Sequence, residues 1–218
     1  MLLRGSLMKL AIMAALLLVV SAGVILSRSP GAARAATQGP IAEYSFDEGA
    51  IGTEGGTLED LSGNGHDGTV EGAEWAHGRY GGALRFDGAE DTVKIPGSSE
   101  FDLTEEMTLE AWVRPESESE KWGTVVGELG SGGEPWQDPD WYLFEGGPRS
   151  DEPIGGTETA TEGETYVSAG EKLPIDSWSH LAFTWDGAEG RVYIDGELVG
   201  EAPVGLAWTP SALSPEAA

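Results

Sequence analysis

From Gln38 onward, apolar and polar residues alternate in short runs, and no stretch sustains the 3.6-residue period of an amphipathic helix. Glycine, aspartate and proline separate the runs, which is the punctuation of an antiparallel sandwich. Residues 41–46 open the series, and residues 83–86 and 92–95 follow. Residues 107–114 form the cleanest run. Met107, Leu109, Ala111 and Val113 fall on one face, Thr108, Glu110 and Arg114 on the other, and Pro115 ends it. Further strands are expected at 179–185, 191–194 and 197–199. Asp87-Gly88, Asp186-Gly187 and Asp195-Gly196 follow three of these runs, and Asp-Gly tolerates the positive φ that a tight hairpin demands. One short helical turn is predicted at 98–101. Residues 127–170 differ, being rich in Gly, Glu, Pro and Thr; they read as a long connection enclosing strands at 141–144 and 165–167.

The first 35 residues read as an export address. Arg4 and Lys9 precede an apolar run from Leu10 to Leu26, and Ala33-Arg34-Ala35 fits a small-x-small cleavage site. The expected organisation is a signal peptide at 1–35, a linker at 36–40, a jelly-roll domain at 41–200 and an irregular tail at 201–218. An uncleaved anchor is the alternative for the first segment, although 17 residues is short for a membrane span. Either reading places the remainder in a secreted or cell-surface location, with no membrane contact apart from the signal segment.

Several motifs in order resemble one family. Tyr44-Ser45-Phe46-Asp47-Glu48-Gly49, Asp60-Leu61-Ser62-Gly63-Asn64-Gly65-His66-Asp67-Gly68 and Gly82-Ala83-Leu84-Arg85-Phe86-Asp87-Gly88 match the opening of LamG-like jelly rolls. Thr108-Leu109-Glu110-Ala111-Trp112-Val113, residues 178–187 and Val192-Tyr193-Ile194-Asp195-Gly196 continue the match. The resemblance implies an all-β, two-sheet antiparallel jelly-roll sandwich of the concanavalin A-like class, preceded here by an N-terminal signal helix. It implies adhesion or carbohydrate recognition, with a glycan or a cell-surface protein as partner. Residues 201–218, with three prolines, depart from the closing strand usual in the family, which suggests a truncated chain whose core lacks a strand. A structural appendage without a binding function of its own is therefore the alternative reading.

Charge narrows the partners. The chain carries 38 acidic and 12 basic residues for a net charge of −26, and −30 without the leading 35 residues. Such a surface repels phosphate backbones, so no nucleic-acid role is expected. The absence of cysteine excludes thiol catalysis and zinc–thiolate sites. Asp60, Ser62, Asn64, Gly65 and Glu71 nearly reproduce the ligand spacing of a calcium loop, although the flanks read as strands rather than helices. The family resemblance points the same way, implying a structural calcium held by Asp60 and Asn64, with Asp47 and Asp87 as further acids. A solvated Asx turn is the competing reading.

Trp136, Asp138, Asp140 and Trp141, in the long connection, are the candidate glycan site: an exposed indole stacks on a sugar face while carboxylates accept its hydroxyls. Alternatively these tryptophans anchor the loop. Trp112, Trp178 and Trp185 sit in family strands and are expected in the core. No strand carries the alternating carboxylate pair of a retaining glucanase, so the expectation is a binding module and not an enzyme, with a glycoside hydrolase as the outlier.

Overall fold

The computed structural model describes residues 13–14, 39–88, 90–103, 106–118, 123–128, 141–147, 151–159 and 163–204. Its elements are all β apart from one short turn of 3-10 helix. They are β1 (Met13–Ala14), β2 (Glu54–Leu58), β3 (Gly68–His77), β4 (Gly82–Arg85), β5 (Thr92–Lys94), the 3-10 turn Ser99–Phe101, β6 (Met107–Val113), β7 (Thr124–Gly127), β8 (Trp141–Phe144), β9 (Ile154–Thr159), β10 (Gly163–Ser168), β11 (Ser179–Trp185), β12 (Glu189–Ile194) and β13 (Glu197–Pro203). Every strand pair is antiparallel.

Three ladders build the jelly-roll sandwich: β1-β4-β3-β2 with β5 also on β3, β10-β9-β8-β7, and β13-β12-β11-β6. The second ladder packs against the third, since β9 and β10 lie on β11, β12 and β13. β1 pairs with β4 and touches β6, so the edges of the first and third ladders stand side by side. Bidentate contact of the Arg85 guanidinium with Glu116, at 3.2 and 2.9 Å, spans the same two edges.

Alternation carries the fold. Along β6 the residues are buried and half-buried by turns, with Leu109 and Val113 fully enclosed. The β11 register places Leu109 opposite Phe183, Ala111 opposite Leu181 and Met107 opposite Trp185, all on the inner face. One cluster gathers these with Tyr44, Trp75, Leu84, Trp141, Leu143, Val167 and Val192. Packing extends to Val204, which is fully buried and accepts the Trp185 indole N–H on its carbonyl. Close approach sets the second ladder's sequence. A Cβ on Gly155 would lie 2.3 Å from the Phe183 ring, so glycine lets β9 settle onto β11.

Four expectations are corrected. Residues 41–46 do not join a ladder, although Ala42, Tyr44 and Phe46 are buried as their alternation demands. Their backbone groups are taken instead by the loop that follows β2: Glu43 N–H donates to Asp60 Oδ1, and the Ile41 carbonyl accepts from Ser62 Oγ and Asn64 Nδ2. Asp87-Gly88 does not close a hairpin, because β4 and β5 both pair with β3. β3 changes partner at Gly72, whose φ of 81° bends the strand. Of the three Asp-Gly turns, Asp195-Gly196 has both residues at positive φ. Most of the predicted signal helix lies outside the described residues; its described part, Met13–Ala14, is extended rather than helical because it pairs with Leu84 and Arg85. Among the described residues no helix is long and apolar enough to cross a membrane.

Leu181→Ala removes a fully buried side chain at the centre of the β6–β11 pair, and the expected cost is about 2–5 kcal/mol. Thr184→Ala, on the opposite face of the same strand, should stay within about 0.5 kcal/mol. Urea unfolding midpoints of the two variants measure the contrast, and equal shifts would mean that this register does not sort the core.

Candidate functional site

The same register that buries one face of β6 and β11 presents the other. Trp112 stands opposite His180, Glu110 opposite Ala182, and Thr108 opposite Thr184; β12 continues the row with Tyr193 beside Ala182 and Arg191 beside Thr184. Trp112 and His180 meet with ring centroids 5.3 Å apart. Tyr80, half exposed, comes from the turn between β3 and β4 and meets the Trp112 ring edge-on at 5.7 Å. From the same turn the Arg79 guanidinium lies 4.2 Å from the Trp112 ring centre, and its Nε donates to the Tyr80 hydroxyl at 3.2 Å. The turn is closed by the Gly78 N–H donating to the Gly81 carbonyl at 2.9 Å. Trp178, partly buried, packs against Ala83 of β4.

Polar groups flank this platform. Burial pushes the Glu110 carboxyl above its ordinary range, outweighing the lowering effect of the His180 charge; Oε2 lies 3.8 Å from His180 Nε2. Further along the face Arg191 holds Asp186 and Glu201 at 2.7 Å each, together with Glu189. That pairing, chiefly the hydrogen bond from Arg191, holds the Asp186 carboxyl below its usual range. The face therefore combines aromatic surface, one raised carboxyl, an imidazole and a guanidinium.

The expected ligand residues fall elsewhere. Trp136, Asp138 and Asp140 lie outside the described residues. Trp141 begins β8, is 5% exposed, and donates its indole N–H to the Phe101 carbonyl at 3.0 Å. Its enclosure matches the anchoring alternative, since a ring so enclosed offers little face to a sugar. Trp185 is in the core as expected. Trp112 is not, because it shares the parity of Thr108 and Glu110.

The residues proposed for calcium are placed clearly, and the Asp60 carboxylate among them is already fully engaged. Asp60 Oδ1 accepts from Glu43 N and Ser62 N at 3.0 and 2.9 Å, while Oδ2 accepts from Ser62 Oγ and His66 N at 2.8 and 3.0 Å. Four donors occupy the lone pairs that a cation would need. The Asn64 amide nitrogen donates to the Pro40 and Ile41 carbonyls at 3.2 and 2.8 Å. Asp47 Oδ1 accepts from Gly82 N at 2.6 Å, Asp87 N–H donates to Asp91, and Glu71 pairs with Lys94 at 2.6 Å. Among the described residues no three acids or histidines gather into a group able to hold a metal.

Comparison with known proteins agrees with the architecture. The family model described as the concanavalin A-like lectin/glucanases superfamily matches residues 87–216. The chain belongs to that superfamily. Among solved structures, the chain is similar to domain 4 of AbnA, a GH43 extracellular arabinanase from Geobacillus stearothermophilus, in complex with arabinotriose. The match has 22% identity and a TM-score of 0.54, covering 77% of this chain and 78% of that one. A second is the S-layer domain-containing protein (residues 221–444) from Clostridium thermocellum, at 23% identity and TM-score 0.40, covering 81% and 79%. No curated protein matches the chain.

The superfamily includes lectins and glucanases alike, so its fold leaves function to the side chains it displays. In this concanavalin A-like chain the signal for Trp112 was present in the sequence, as the period of two along β6. Tyr80 and Arg79 carried no such signal, for a turn residue meets a distant strand through tertiary packing alone.

Asp60 is a structural acceptor in this superfamily domain. Burial alone would raise its carboxyl, but hydrogen bonds from His66, Ser62 and Glu43 prevail and hold it below the ordinary range. A lowered folded-state value contributes stability above the unfolded value, and that contribution is lost as pH falls through the folded one. Wild type should therefore lose melting temperature on acidification below about pH 4, while Asp60→Ala starts about 3 kcal/mol lower and loses this component of the acid dependence. Millimolar calcium against chelator should leave both melts in place; a calcium-dependent rise in wild type that Asp60→Ala abolishes would restore the metal reading.

Proposed function

We propose that this protein is an exported, non-catalytic carbohydrate-binding module that takes a glycan on the outer face of the β6-β11-β12 ladder. The observation that carries the reading is the Tyr80–Trp112–His180 row, with Glu110 and Arg79 at its margins. Sugars present apolar C–H faces that stack on aromatic rings and hydroxyls that need polar partners, and this face supplies both. The fold family and the arabinotriose complex of the similar domain support the class of ligand. The signal-like segment at 1–35 and the extracellular arabinanase support export.

The face argues against hydrolysis. Glycoside cleavage needs two carboxyls placed across the scissile bond, one of them protonated. Glu110 has the raised carboxyl of an acid, but its neighbours on β11 are Ala182 and His180. Asp186, Glu189 and Glu201 are engaged by Arg191.

Affinity electrophoresis of the full chain through a panel of embedded polysaccharides tests the reading. Trp112→Ala should abolish retention, a loss of about 1.5 kcal/mol or more, with the melting temperature unchanged. Trp141→Ala should lower the melting temperature instead. Retention that survives Trp112→Ala, or release of reducing sugar by wild type, would overturn the assignment.

A further inference from the structure

Among the described residues, the lysines and arginines of this acidic chain are almost all spoken for. Arg85 pairs with Glu116, Lys94 with Glu71, Arg114 with Asp176, Lys172 with Asp151 and Glu118, and Arg191 with three acids. Among the described lysines and arginines, Arg79 alone has no carboxylate partner; its contacts are the Tyr80 hydroxyl, the Tyr80 ring and the Trp112 ring. In a chain with 38 acids to 12 bases, a guanidinium that meets none of them stands out. It is also exposed and carried on a turn closed by Gly78 and Gly81, so its backbone is held while its fork remains open to solvent.

Resting on the glycan-binding reading of this face, we propose that Arg79 selects glycans bearing a carboxylate, such as a uronic acid unit. The sugar ring stacks on the Tyr80–Trp112 surface and its carboxylate takes the guanidinium fork. The chemistry matches on both sides. A guanidinium presents parallel N–H donors that fit a carboxylate in bidentate fashion, and stacking on an indole leaves those in-plane donors free. Glu110 sits on the His180 side of Trp112, so the arginine marks one end of the platform as the anionic subsite. The net charge of −26 sets a limit: a densely charged polyanion is repelled as a whole, whereas an isolated carboxylate within a largely neutral chain feels the local guanidinium within a Debye length.

The test is isothermal titration of the full chain with matched oligosaccharide pairs, each neutral oligosaccharide beside the same chain carrying one glucuronic or galacturonic acid unit. Wild type should bind the acidic member of a pair about tenfold more tightly, as a charge-assisted bidentate contact provides. That preference should shrink as sodium chloride is raised. Arg79→Gln should erase the preference while leaving the melting temperature unchanged, and Arg79→Lys should restore part of it. Equal affinity for both members of every pair, or a preference that survives Arg79→Gln, overturns this inference and leaves glycan binding standing. Binding to no member, or binding indifferent to Trp112→Ala, overturns the glycan reading and this inference with it.

Discussion

One register holds this molecule together. With Leu109 opposite Phe183 and Trp112 opposite His180, the pairing of β6 and β11 sorts their side chains into two populations. The inner population joins the cluster shared by all three ladders, and the outer one forms the platform. Because side chains alternate with a period of two, a slip of one residue would exchange the populations. Trp112, His180 and Glu110 would then enter the core while Leu109, Leu181 and Phe183 met water. Burial of these large apolar residues thus fixes the register, and the register fixes the site. Stability and the proposed recognition surface are two faces of a single constraint.

A second constraint closes the start of the domain. The segment around Tyr44 has the apolar alternation of a strand, but among the described residues it forms no ladder beyond a single bridge at Ala42. The loop from Asp60 to His66 supplies partners through side chains and backbone: Asp60 receives Glu43 N–H, Leu61 N–H donates to the Glu43 carbonyl, Ser62 and Asn64 reach the Ile41 carbonyl, and Tyr44 donates its hydroxyl to the His66 carbonyl at 2.5 Å. Burial together with the charges of Asp60 and Asp67 pushes the Tyr44 phenol above its ordinary range, so it remains a neutral donor. A carboxylate ringed by N–H and O–H groups organises the loop much as a cation ringed by oxygens would. That is why ligand-like spacing in the sequence and a hydrogen-bonded hub in the structure look alike until the donors are counted.

The fold was largely legible, and the exceptions are instructive. Strands with alternating aliphatic residues, such as β6, β11 and β12, were read correctly from period alone. β2 and β3 were missed because glycine and glutamate dilute their pattern: Gly55 and Gly56 interrupt the first, and Gly72 at φ 81° bends the second. Asp87-Gly88 carried a hairpin signal, yet β3 captured both of its flanking strands. Trp141 has the enclosure of the anchoring alternative, whereas Trp112 left its expected place in the core. The Trp141 ring is enclosed by the core it plugs, through contacts with Phe101 some forty residues earlier. Trp112 follows the parity of its own strand, which outweighs the general tendency of tryptophan to be buried.

By itself, then, the sequence determined the class: all-β, antiparallel, acidic, free of thiols, with a motif order that placed it among concanavalin A-like domains. These properties are local or compositional, set by neighbours two residues apart and by simple counts. The site was decided by tertiary structure. Tyr80 and Arg79 reach Trp112 across more than thirty residues of chain, from a turn whose own sequence says nothing about what it will touch. Such contacts exist because two ladder edges are brought together by the burial of a common core, a cooperative outcome that no short window of the sequence encodes.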